Sequence, residues 1–328
     1  MYLATRRRQP ESGMTFQPDT IKEFASPSRI AVATDLTDTE YLLPYAIAQA
    51  KASRASLILV HAVLPHESSP MEGGAVVYYD PLRMDRDARL MLEGLARSLR
   101  DQGIECATAV RHGFVPDVIS EVVRNSGAGR LILGTHGRRG LKKFVLGSVA
   151  RQLLEVIEVP VCTVGPRAHR DTMTRLDTIL HPVSLGGMHE VSAALALAVG
   201  RQFGAQVVLL HVLPPAPAST RNAASAVAAA TEQLNRLIPA NAVPGTRAEI
   251  RSAHGSAVAE ILAAAEENRA GLIVLGVHAP AHSWLPGTEP AAYKILVSAP
   301  CPVLSLRVNP APLSLEPEGE REASQVSG

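Results

Sequence analysis

The chain is written twice. The run SLILVH ending at His61 returns as QVVLLH ending at His211. His112-Gly113, followed by Ile119, returns as His254-Gly255 and Ile261. LILGTH ending at His136 matches IVLGVH ending at His278, and Val159-Pro160-Val161 matches Cys301-Pro302-Val303. From His112 onward the offset is 142 residues, wavering only near the glycine-rich segment; at His61 it is 150. The first half therefore carries eight extra residues, which fall in the stretch 65–80. Self-similarity at a fixed offset means two copies of one structural plan, so the fold of one half constrains the other.

Within each half, short β-branched runs alternate with longer helical patterns. Strands are expected at 29–35, 56–64, 105–111, 130–134 and 159–165, and again at 177–184, 206–213, 247–252, 272–276 and 302–307. Helices are expected at 39–52, 85–100, 115–125 and 148–158, with Leu92, Leu95 and Leu99 at helical spacing. Continuous apolar strands alternating with helices imply a parallel sheet covered on both faces. The expected fold class is α/β, with two Rossmann-like domains, each a five-stranded parallel sheet. Hydrophobic residues make up 46% of the chain but aromatic ones only 4%, so the cores must be built from Val, Leu, Ile and Ala.

The domains are expected at 28–166 and 177–308, joined by a polar linker at 167–176. Residues 1–27, which carry Arg6-Arg7-Arg8, read as a poorly ordered tail, and so does the acidic, Pro/Ser-rich end at 309–328. The arginines are followed by polar residues, not by the apolar core of a secretory signal. No run approaches the ~18–20 apolar residues that span a bilayer. The net charge of +1 argues against a dedicated nucleic-acid binder. Cys106, Cys162 and Cys301 are scattered and odd in number, which fits neither a disulfide framework nor a metal cluster and suits a cytoplasmic protein.

The chemistry gathers where the strands end. Gly134, Thr135, His136 and Gly137 follow the run Leu131-Ile132-Leu133; nine residues later come Gly147 and Ser148, where a helical pattern starts. Strand, glycine-rich loop and helix start is an arrangement that holds phosphate, because backbone N–H groups and the positive end of the helix dipole converge on the anion. Glycines let the backbone approach a ligand and adopt φ > 0. The structural alternative is that these glycines end a strand and cap a helix. Arg138, Arg139, Lys142 and Lys143 lie inside the loop and can assist an anion site. Ala33-Thr34-Asp35 closes the first strand; its carboxylate can accept from an amino group or a ribose hydroxyl, or can serve as a turn or N-cap residue. His61-Ala62 closes the second strand, where backbone groups can read a base edge; His61 itself reads as a structural histidine.

These residues resemble the universal stress protein family in its tandem form. The family pattern of Gly, two residues, Gly, nine residues, Gly and Ser or Thr is matched by Gly134, Gly137, Gly147 and Ser148, and the strand-end positions by Asp35, His61 and Ala62. The resemblance implies that Ala33, Thr34, Asp35 and Ala62 hold adenine, and that Gly134, Thr135, His136, Gly137, Arg138, Gly147, Ser148 and Val149 hold ribose and phosphates. It implies ATP or a related adenine nucleotide, with Mg²⁺ riding on the phosphates, and the family's habit of pairing domains, with a homodimer as a further form. A stress-response or regulatory role follows.

The second half departs from the pattern. Gly276 is kept, but Ala279 and Pro280 follow where the second glycine belongs, and only seven residues separate Ala279 from Gly287-Thr288. The loop has lost its Arg and Lys, Trp284 occupies it, and Ser184 stands at the strand-one Asp position. This half is expected to be ligand-poor and to serve as a pairing partner. No Gly-x4-Gly-Lys-Ser/Thr, Gly-x-Gly-x-x-Gly, His-Glu-x-x-His or Cys-x-x-Cys motif is present, and no residue set supplies an evident base for water. An enzyme of this sequence would be at most a weak ATPase or nucleotidyl-transfer enzyme; a ligand-free scaffold is the third reading.

Overall fold

The structure, a computed structural model, describes residues 18–63, 81–135, 146–168, 176–185, 189–214, 220–253, 256–278 and 290–308. The expected loop 65–80, the core of the glycine loop and of its copy, most of the linker, the acidic end and residues 1–17 lie outside the described residues.

The first half runs β1 (Arg29–Ala33), α2 (Thr39–Ser53), β2 (Ser56–Val63), α3 (Pro81–Asp101), β3 (Cys106–His112), α4 (Val115–Ser126), β4 (Arg130–Gly134), α5 (Ser148–Val156) and β5 (Val161–Val164), preceded by α1 (Pro18–Ala25). The second half runs β6 (Thr178–Pro182), α6 (His189–Phe203), β7 (Gln206–Leu213), α7 (Thr220–Leu237), β8 (Arg247–Ser252), α8 (Ala257–Glu267), β9 (Leu272–His278), α9 (Ala291–Ser298) and β10 (Val303–Val308). The expected elements are present, with ends displaced by a few residues.

Among the described residues the ten strands form one sheet, in the order β3-β2-β1-β4-β5-β10-β9-β6-β7-β8. Each half is parallel within itself and has the doubly-wound order, the second half mirroring the first about the centre. β5 and β10 meet antiparallel, with Thr163 opposite Val303 and Val161 opposite Ser305. The side chains of β1 sort to two faces: Ile30 and Val32 enter one core, Ala31 and Ala33 the other. Each core runs through both halves. One takes in Leu42, Leu92, Leu195 and Leu234; the other takes in Ile119, Leu153, Ile261 and Leu296. Period-two alternation on strands buried on both sides makes this partition.

The reading of residues 1–27 as a tail is corrected over 18–25. Ile21, Phe24 and Ala25, at i, i+3 and i+4, are buried in the first core, and α1 packs against α6 of the other half. Its C-terminal carbonyls are bound by Arg130, the largest of the fully buried side chains. Arg130 Nη2 donates to Phe24 O (2.5 Å) and Ala25 O (3.2 Å), and Nη1 donates to Gln49 Oε1 (2.8 Å). Burial lowers this guanidinium to a pKa of about 10, still above neutrality, so it carries its charge against the negative end of α1.

The two halves differ at the centre of their sheets. β1 pairs with β4 over four residues, Ile30 to Ala33, but β6 pairs with β9 only through Ile179 and Leu180. Pro182 has no N–H to give to the ladder. The ring of His181 stands in: Nδ1 donates to Val274 O at 2.8 Å, and Nε2 lies 3.4 Å from Ser192 Oγ. His181 is fully buried, and desolvation pushes it down to about 4, against the pull of the Val274 carbonyl. The unfolded chain therefore binds a proton that the folded chain refuses between about pH 6.5 and 4. Stability is fully present above 6.5 and falls as the pH drops towards 4, by about 3 kcal/mol from this group alone. Urea denaturation at pH 7, 5.5 and 4.5 should show this acid slope, and His181→Asn should lose most of it; an unchanged slope in the variant would remove His181 as its source.

Candidate functional site

Open α/β sheets bind ligands outside the carboxyl ends of their strands, where the strand order reverses. In the first half that point lies between β1 and β4. Ala33 stands opposite Leu133 in β4 and opposite Val60 in β2, and the Thr34 N–H donates to Val60 O at 3.0 Å. Thr34, Asp35, His61, Ala62, Gly134 and Thr135 therefore share one rim. α5 is fastened to it: the Gly147 N–H donates to Thr135 O at 2.9 Å, and the Thr135 N–H to Val164 O at 3.1 Å. Of the sequence-predicted residues, Ala33, Thr34, Asp35, Ala62, Gly134, Thr135, Gly147, Ser148 and Val149 are brought to this edge; His136, Gly137 and Arg138 lie outside the described residues.

The turn after β1 is built by side chains. Asp35 Oδ1 accepts from the Thr37 N–H (2.8 Å) and the Thr37 hydroxyl (2.6 Å), an Asx turn. Thr34 Oγ1 accepts the Leu36 N–H (2.9 Å) and donates to Asp38 Oδ1 (2.5 Å). Leu36 is held at φ 72°, a left-handed conformation that costs a non-glycine residue roughly 1–2 kcal/mol. Asp35 is thus a turn residue, and the N-cap of α2 is Asp38. Burial raises the Asp38 carboxyl to about 6, the Asp35 charge adding to the rise and the Thr34 hydroxyl opposing it. Sequence reasoning passed over Asp38; the signal was a second acid at the threshold of the helix.

His61 has a structural task. Its Nδ1 donates to Thr34 O at 2.8 Å, and in the second half His211 Nδ1 donates to Val183 O at the same 2.8 Å. The repeat preserves a histidine that fixes the backbone at the end of the first strand.

At the helix start, Gly147 is the N-cap of α5 with φ −57° and ψ 146°. Any residue adopts that conformation, so the expectation that glycine is needed there for positive φ is corrected. What glycine supplies is a cap with no side chain over the first turn. The leading N–H groups of a helix have no intrahelical acceptor, and the first turn of α5 carries no acidic residue. Among the described residues, a positive helix end with no acid in its first turn therefore lies at the rim beside β4.

The second half builds the same backbone with different residues at the rim. The Val183 N–H donates to Leu210 O, as the Thr34 N–H does to Val60 O. That register sets Val183 in the place of Thr34 and Ser184 in the place of Asp35. The cap of α9 is Pro290, with φ −54° and ψ 145°, nearly the Gly147 conformation. Proline has no N–H, so the bond that ties Gly147 to Thr135 has no counterpart there. The cap of α9 lies three residues after Gly287, and Gly287 and Thr288 lie outside the described residues. Among the described residues no group of three or more His, Cys, Asp or Glu is placed to hold a metal, Cys106, Cys162 and Cys301 are buried, and no helix is long and apolar enough to cross a membrane.

Comparison with known proteins agrees with this architecture. Two universal stress proteins of Methanocaldococcus jannaschii are similar to the chain. One is 25% identical over 139 residues, 42% of this chain and 81% of that protein. The other is 26% identical over 82 residues, 25% of this chain and 51% of that protein, so the match spans about half of that relative's length. The crystal structure of a universal stress protein from Archaeoglobus fulgidus has the same fold, at a TM-score of 0.62 with 18% identity, covering 85% of this chain and 98% of that one. Two further universal stress protein structures each match 42% of this chain. One, from Archaeoglobus fulgidus, is in complex with dAMP (22% identity, 98% of that chain, TM-score 0.31); the other is in complex with cAMP (21% identity, 95% of that chain, TM-score 0.29). The model of the universal stress protein family matches residues 27–165 and again 176–307, and the chain belongs to that family, with two of its domains in one polypeptide.

Proposed function

We propose that the first half binds ATP or a related adenine nucleotide, carrying Mg²⁺ on its phosphates, and that the protein is a nucleotide-dependent regulator in stress response. The observation that carries this reading is the tie of Gly147 to Thr135, which holds the bare, acid-free N-terminus of α5 against the carboxyl end of β4. Ser148 and Val149 would offer N–H groups to phosphate, and Gly137 and Arg138 are assigned to the same ligand by the family pattern. Ala33, Thr34, Asp35 and Ala62 would hold the adenosine end. Thr34 and Asp35 are already fixed by hydrogen bonds within the turn, so little ordering cost remains for binding. The second half serves as the partner that completes the sheet, and no nucleotide is assigned to it.

Protein purified under native conditions and extracted with acid should release an adenine nucleotide to mass spectrometry, or bind added ATP by calorimetry; no affinity at millimolar ATP would sink the proposal. Because valine can adopt the Gly147 backbone, Gly147→Val should keep the fold while placing a branched side chain over the first turn of α5. Affinity for ATP should fall at least tenfold, about 1.4 kcal/mol or more, with the melting temperature little changed. Gly137→Val should act in the same direction; wild-type affinity in both variants would detach the loop from binding.

A further inference from the structure

A groove of about 750 Å³ runs along α4 on the side facing the last turns of α5, remote from the cap at Gly147. Its walls are strongly acidic. Glu23, Asp117, Glu121, Glu155 and Glu158 line it, against one described cation, Arg124. Its floor and rim are apolar: Phe114 is 55% exposed and Val156 53%, large side chains that a helix pair would ordinarily cover. Glu155 is partly engaged, its Oε1 lying 3.5 Å from the Tyr293 hydroxyl. Asp117, Glu121 and Glu158 are exposed. Like charges gathered around exposed apolar groups repel one another, and a cationic occupant with apolar neighbours would relieve both costs.

The chain carries such a segment at the groove's edge. α1 contributes Glu23 and Phe24 to the lining. Arg6-Arg7-Arg8 lie ten residues before α1 begins at Pro18, with Tyr2 and Leu3 on one side and Met14 and Phe16 on the other. From Pro18 to Glu23 the helix rises only ~8 Å, while ten residues of chain reach up to ~33 Å, so the arginines can span the groove. A tether of this length presents the segment at an effective concentration of order millimolar, enough for weak guanidinium–carboxylate pairs to be occupied. We propose that the acidic groove between α4 and α5 is the docking site of the chain's own Arg6-Arg7-Arg8 segment, which covers Phe114 and Val156 and neutralises the carboxylates around them.

The test uses the full chain with the photo-cross-linking residue benzoylphenylalanine in place of Gln9. Irradiation followed by digestion and mass spectrometry should place the cross-links within one chain, on peptides from α4 and the last turns of α5. The double variant Glu121→Lys/Glu158→Lys changes only exposed charges and should reduce the yield at least fivefold. Reversing the segment as well, Arg6→Glu, Arg7→Glu and Arg8→Glu, should restore it. Wild-type yield should likewise fall between 0.05 M and 1 M salt, as pairing of exposed charges does. Cross-links on another face, cross-links between two chains, or a yield indifferent to both charge reversal and salt would overturn the assignment.

Discussion

The antiparallel junction of β5 with β10 holds the two halves in one sheet. Three residue pairs join two five-stranded sheets into one, with Thr163 Oγ1 donating to Val303 O beside them at 3.3 Å. Left alone, each half would present a parallel edge of unpaired backbone groups, a template for association with other chains. The junction also reaches the candidate site. α5 leads directly into β5, and the second half grips its far end: Arg307, on β10, donates through Nη1 to Glu155 O at 2.5 Å, and the Arg151 guanidinium lies over the Tyr293 ring, 5.7 Å from its centroid. A cation on the last carbonyls of a helix favours its dipole. The degenerate half thus caps the helix whose other end faces the proposed phosphate, which gives a physical reason for keeping it.

Three local differences separate the two halves where the sheet meets the rim. Thr34-Asp35 has become Val183-Ser184, which removes the hydroxyl and the carboxylate that build the turn after β1. The glycine cap has become Pro290, which removes a donor without altering the dihedral angles. In the centre of the sheet, His181 fills a ladder position that Pro182 vacates. The first two changes leave the core intact and alter only what the rim offers, as expected when function is carried by strand ends and loops on a retained scaffold.

Most of the element plan was legible because buried parallel strands read as apolar runs and the repeat supplied each one twice. The edge-to-edge junction was not, since pairing between distant strands leaves no local pattern. α1 escaped notice although Ile21, Phe24 and Ala25 have helical spacing: the helix is short, and its anchor, Arg130, is over a hundred residues away in a strand that otherwise reads as apolar. At the site, the residues of the rim were legible from the glycine pattern and the strand ends. The division of labour between Asp35 and Asp38 was not, because either acid suits a turn before a helix and only the hydrogen bonds tell them apart. Nor was the cap of α9, where a glycine–threonine pair nearby looked like the better match to Gly147-Ser148.

Hydrogen exchange read by mass spectrometry, with and without saturating ATP and Mg²⁺, separates a first half that binds nucleotide from a second half that does not. Slowed exchange is expected in peptides covering 29–37 and 146–156, with no change in the matching peptides 178–185 and 290–298. Protection in the second half, or in neither half, would contradict that division.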